Sequence, residues 1–134
     1  MTNENRKRNV AIELTRAEEA MRAAKALLGL GLHNDAVSRA YYAAFHYVRA
    51  LLLTRGAEVK THGGAIHLLN VEFVRTGLLA SSHNRLLAGL QRARELADYD
   101  AAVTFSNEDA VAEIAEAEQF AAAADGLLRR EGWR

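Results

Sequence analysis

The run from Asp35 to about Arg55 is apolar nearly all the way round a helix, with Val37, Ala40, Tyr41, Ala44, Phe45, Val48, Leu51, Leu52 and Leu53 leaving no clean polar side. A helix of that kind must be covered on most of its faces, so the rest of the chain has to wrap it. It reads as the central helix of a bundle, ending at Gly56, a fitting C′ glycine. Inside it, Ser38-Arg39-Ala40-Tyr41-Tyr42-Ala43-Ala44-Phe45-His46 breaks the apolar pattern. Arg39, Tyr42 and His46 (i, i+3, i+7) fall on one face. Burying such groups without partners costs roughly 1–3 kcal/mol each, more for the charge. Either they satisfy one another and their neighbours in a polar network, Arg39 tied to an acidic or tyrosine partner with Asp98 the first candidate, or they face a nucleotide, another anion or a partner subunit. Apolar surface that one small bundle cannot cover marks an interface, so a homodimer is expected.

The remaining segments supply the covering helices. A first helix runs from about Val10 to Leu28, its stripe made by Ile12, Leu14, Ala17, Met21, Ala24, Leu27 and Leu28. Residues 1–9 ahead of it are polar and basic and read as a flexible lead-in. Gly29 and Gly31 break the first helix, and Asn34 or Asp35 can cap the second. Ala57 to Lys60 form a loop, and Thr61 caps a third helix that Gly63 and Gly64 loosen. That helix continues through Ile66, Leu69, Phe73 and Val74 and stops at Gly77. Ser81 and Ser82 open a fourth, with Leu86, Leu87, Leu90 and Ala93 inward, ending near Tyr99. After a connection from Asp100 to Phe105, Ser106 and Asp109 form a capping box at the start of a last helix, Asn107 to about Arg130. The chain of 134 residues has no proline and reads as one all-α domain, 1–134, an up-and-down bundle of four to five helices.

Charge and composition exclude several classes. The 17 basic and 17 acidic residues cancel, so no global field draws the protein to nucleic acid or membrane. Fourteen of the basic residues are arginine, the side chain suited to bidentate contacts with phosphate or carboxylate. Without cysteine there is no disulfide, thiolate nucleophile or thiolate metal site. No histidine–carboxylate set has metal-ligand spacing, and neither metal nor cofactor is expected. The N-terminal segment has no apolar core of a signal peptide, and no run approaches the ~20 apolar residues that span a bilayer. A cytoplasmic protein without membrane contact is expected.

Two further groupings carry chemistry. In Arg92-Ala93-Arg94-Glu95-Leu96-Ala97-Asp98-Tyr99-Asp100, Arg94 and Asp98 can pair at i, i+4, while Arg92 and Tyr99 share a face where an anion could sit. The plainer alternative is a helix end whose aspartates bond loop amides while Tyr99 plugs the bundle. In Thr61-His62-Gly63-Gly64, exposed amides at a helix start could bind an anion, although a simple N-cap accounts for the same residues. An arginine followed by histidine after four to six residues arises about 1.5 times by chance in such a composition. The two pairs present, Arg39 to His46 and Arg55 to His62, therefore prove nothing by spacing.

Taken together, residues 38–46, Thr61-His62-Gly63-Gly64, Phe73-Val74-Arg75-Thr76-Gly77-Leu78-Leu79 and Arg94-Glu95-Leu96-Ala97-Asp98-Tyr99-Asp100 resemble the HEPN domain family over roughly Val10 to Phe120. The resemblance implies a HEPN-like bundle of four core helices plus a shorter one, usually dimeric. It implies a component of a toxin–antitoxin or defence module beside a minimal nucleotidyltransferase, often a metal-independent ribonuclease with its site at the dimer interface. The site it implies here is Arg92, Arg94, Asp98 and Tyr99, with His46 a possible addition for proton transfer. The resemblance also implies that Tyr99 inherits a position that can accept an adenylyl group from the partner. The family's arginine-to-histidine motif departs here: counted from Arg92 with Tyr99 in the tyrosine place, the histidine place is Ala97. Counted from Arg94, it is Tyr99, Asp100 or Ala101. The other implied class is a non-catalytic helical module that binds a nucleotide or the partner, with Arg39, Tyr42, His46, Thr61 and His62 as its candidate contacts.

Overall fold

The computed structural model describes residues 2–134 as five α-helices and one π turn, with no strand among them. Helix α1 (Asn3–Gly29) precedes the central α2 (His33–Thr54), and α3 (His62–Leu69) runs into a π turn (Asn70–Val74). Helices α4 (Ser82–Tyr99) and α5 (Asn107–Arg130) complete the bundle. As the apolar run requires, α2 packs against α1, α3, α4 and α5, and Val37, Ala40, Val48, Leu51 and Leu52 have no exposed surface. Each large aliphatic side chain so buried stabilises the fold by ~1.5–3 kcal/mol relative to exposure. This covering is almost complete within one chain, so α2 does not supply the open apolar face from which a dimer was expected. Leu96 and Tyr99 on α4 remain outside, 45% and 75% exposed.

The boundaries differ from expectation where a contact outside the local sequence intervenes. Helix α1 starts at Asn3 rather than Val10, because the Thr2 hydroxyl accepts from the Asn5 amide at 3.1 Å and starts the helix early. Its first turns also have something to pack on, since the Arg6 guanidinium lies over Gly56 at the end of α2. Of the expected lead-in, Met1 lies outside the described residues. Ile12 is 53% exposed, not inward. Two residues from both Val10 and Leu14, it is turned about 200° away from that stripe. Neither Asn34 nor Asp35 caps α2; Leu32 holds that position without a side-chain bond. The Asn34 side-chain amide instead donates to the Val103 carbonyl at 2.9 Å and accepts from the Phe105 amide at 3.0 Å, tying down the α4–α5 connection.

The other caps fall as read. Gly56 follows α2 at φ +72°, a conformation that favours glycine. Thr61 caps α3, and Ser106 and Asp109 form both bonds of the capping box of α5. The π turn was not legible beforehand. It brings Phe73 fully into the core, and the side-chain oxygen of its Asn70 takes a bond from Asn84 of α4 at 2.8 Å. A bidentate Arg55–Glu131 pair at 2.7 and 3.1 Å joins the end of α2 to the residue after α5.

Candidate functional site

Helix α4 turns Leu87, Leu90 and Ala93 inward, and the residue that follows them, Arg94, enters the same interface with α2. It is the one arginine of the described residues classed as buried, 7% exposed. Its guanidinium carbon lies 5.1 Å from the Tyr41 ring centre, 5.5 Å from Tyr42 and 5.6 Å from Tyr99. Nη1 donates to the Tyr99 hydroxyl at 3.0 Å and lies 3.7 Å from the Asp98 carboxylate. Burial works against this charge, but the phenols of Tyr42, Tyr99 and Tyr41 more than offset it and raise the pKa further. Arg94 is a fixed cation. Its Nε is buried without a hydrogen-bond partner.

Tyr41 links this cation to the start of α3. Its hydroxyl is hydrogen-bonded to Nδ1 of His62, whose ring stacks at a tilt on Phe45 with centroids 4.4 Å apart. Burial pushes the Tyr41 phenol up to about 12, against the pull of Arg94, so it keeps its proton. Burial, and then the charge of Arg94, hold the His62 imidazole below its ordinary value. The Thr61 hydroxyl is occupied as a cap, accepting from the Gly64 amide at 3.0 Å. A Cβ on Gly64 would meet that hydroxyl at 2.8 Å, so a bare glycine lets the cap close. The fold thus gathers a cation, three phenols and one half-buried imidazole at the junction of α2, α3 and α4.

The other candidate residues lie elsewhere. Arg92 is exposed in a groove of about 470 Å³ with Ser82, His83, Arg85, Glu116 and Gln119, apart from Arg94. Arg39 is exposed and rests 5.3 Å over the Tyr42 ring; Asp98 pairs with Arg94, not with it. Arg39 thus has a tyrosine partner but not the expected burial, because its position points outward from α2, while Arg94 reaches Tyr41 and Tyr42 from α4. Arg39, Tyr42 and His46 do share a face, lining a shallow groove of about 500 Å³ with Arg16 and Glu19. His46 is held by the Glu13 carboxylate of α1 at 2.7 Å, which Arg49 also bonds at 3.1 Å. Burial acts to raise Glu13, but the His46 hydrogen bond and the Arg49 charge bring it below the usual carboxylate range. Arg55 and His62 part company, one on Glu131 and Phe73, the other on Tyr41. Among the described residues no three or more histidine and acidic side chains are grouped as a metal site requires. None of their helices is long and apolar enough to cross a membrane.

The class is that of an all-helical bundle, here with an arginine clamped between tyrosines of α2 and α4. The HEPN domain family profile matches residues 11–127. A protein named "Putative toxin" from Methanocaldococcus jannaschii is 40% identical over 78% of this chain and 77% of its own length. A UPF0332 protein from Thermotoga maritima is 35% identical over 84% and 86%. The crystal structure of a Thermus thermophilus protein superposes with a TM-score of 0.75 at 21% identity, covering 89% of this chain and 98% of the other, which shows a common fold. This chain belongs to the HEPN domain family.

Proposed function

We propose that this chain is the HEPN half of a toxin–antitoxin or defence module, paired with a nucleotidyltransferase, and that it cleaves RNA without a metal ion at a site centred on Arg94. One observation carries the reading: Arg94 is held permanently charged among tyrosines while its Tyr99 partner lies 75% exposed. A preorganised guanidinium stabilises the charge that builds on phosphorus as a 2′-hydroxyl attacks. Tyr99, bonded to that guanidinium, is the phenol an adenylylating partner would modify, and a nucleotide on it would obstruct the site. Two relatives carry the name "Putative toxin", which supports the toxin part of this reading. A second copy covering Leu96 and Tyr99 would complete the site as a cytoplasmic homodimer.

The test is cleavage of a mixed RNA pool in chelator, with growth scored on expression alone and with the nucleotidyltransferase. Arg94→Ala is expected to lower cleavage by at least ~100-fold, as loss of one preorganised donor does. The partner is expected to relieve toxicity and to leave adenylate on Tyr99, read by mass spectrometry. The second reading, a non-catalytic module binding a nucleotide or that partner, is favoured by Ala97 standing where α4 would carry the histidine. Wild-type protein that cleaves nothing would establish it over the first.

A further inference from the structure

We propose that the imidazole for proton transfer at the Arg94 cluster comes from His62, across the fold at the start of α3, in place of a histidine on α4. This rests on the RNA-cleaving reading above. Of the five histidines, His33 is bonded to the Phe105 carbonyl, His46 to Glu13, and His67 is exposed on α3. His83, the one on α4, sits edge-on to Phe120, eleven positions from Arg94 and so ~16 Å along the helix. His62 alone shares a partner with Arg94: both lie on Tyr41. The Tyr41 oxygen and the Phe45 ring hold its imidazole, at the start of a helix that Thr61 caps.

In the tautomer that donates Nδ1–H to the Tyr41 oxygen, the Tyr41 O–H is left to donate to the RNA phosphate and Nε2 keeps its lone pair. It takes the proton of the 2′-hydroxyl as that oxygen bonds to phosphorus and the bond from phosphorus to the 5′-oxygen breaks. Arg94 faces the negative phosphorane, water protonates the departing 5′-oxygen, and His62 returns its proton to the hydroxide so formed. The products are a 2′,3′-cyclic phosphate and a 5′-hydroxyl, with no change of oxidation state. Burial and the Arg94 charge favour the unprotonated imidazole at neutral pH, against a weaker pull from Glu95. Among the described residues, Arg94 and Glu95 are the charged groups that act on it.

Two measurements test this on the full chain. In the chelator assay, His62→Gln is expected to lose at least ~100-fold in rate while keeping the circular dichroism of the folded helical bundle, with His67→Gln like wild type. Nitrogen-15 NMR of the imidazoles is expected to show His62 protonated on Nδ1. Its resonances, and not those of His67, should shift when a nucleoside 3′-monophosphate is added. Cleavage by wild type and His62→Gln alike, loss confined to His46→Gln, or a His62 protonated on Nε2 would each overturn the role and leave the RNA-cleaving reading standing. A wild type that cleaves no RNA removes that reading and this role together.

Discussion

Arg94 takes the buried place expected of Arg39, and the difference between the two is measurable. Arg94 lies against Tyr41, Tyr42 and Tyr99 and bonds the Tyr99 hydroxyl. At ~0.5–1 kcal/mol for each ring, plus ~1 for the hydrogen bond, Arg94→Ala should destabilise the protein by about 3 kcal/mol. Arg39 has an exposed cation over one ring, so Arg39→Ala should cost no more than ~1 kcal/mol. Urea denaturation of the two variants checks this, and equal losses would mean that the tyrosines do not hold Arg94. Glu113 is a second buried anomaly, half-buried, with Oε2 lacking a hydrogen-bond partner. Burial, then repulsion from Glu116 and Asp109, push its carboxyl up to about 7 from 4.5. Between those values the folded chain holds a proton that the unfolded chain has released, so this group's contribution to stability falls as pH rises and is lowest above about 7. Glu113→Gln should therefore raise the melting temperature relative to wild type near pH 8 and lose that advantage near pH 5. A constant difference across that range would place the carboxyl in water.

At the scale of elements, polar side chains do two separate jobs that look alike in sequence. Ser106 and Asp109 close a local box at the start of α5, with bonds at 3.0 and 3.3 Å, so Ser106→Ala should cost ~1 kcal/mol and fray only the first turn. Asn34 resembles a cap but bonds across the fold to Val103 and Phe105. Losing both bonds should cost ~2 kcal/mol. Hydrogen exchange separates the two cases: Asn34→Ala should expose the Phe105 amide while leaving the first turn of α2 protected. Loss of protection in α2 instead would restore Asn34 as a cap. The alternation that reveals α1 carries no information on where it begins, because Asn3 to Asn9 suit a helix without demanding one. The Thr2 cap and the Arg6 contact on Gly56 extend it.

For the whole molecule, the covering of α2 by α1, α3, α4 and α5 moves the question of assembly to α4, where Leu96 and Tyr99 stand out of the core. A homodimer through that surface is the expected state at micromolar concentration, measured by sedimentation. Leu96→Asp should shift it to monomer with little effect on the monomer's stability, since the position is already 45% exposed. Sedimentation of the wild type as monomer alone would remove the interface from the proposed site.

By itself the sequence determined the class of fold, the central helix, the glycine after it and the capping box, because each follows from spacing within a few residues. It also determined membership of the family, whose motifs lie in short ordered runs. The site was legible only in part. Arg94, Asp98 and Tyr99 lie within one and a half turns of one helix, so their meeting is local. That Tyr41 would join Arg94 to His62, that Glu13 would hold His46, and that Arg94 rather than Arg92 would be the arginine turned inward were decided by how α1, α3 and α4 dock on α2. Those contacts join residues 21 to more than 50 positions apart, and no local periodicity specifies which faces of four covering helices meet. Tertiary packing chose among arrangements that bury the same apolar stripes, and in doing so it put an imidazole beside Arg94 that α4 does not carry.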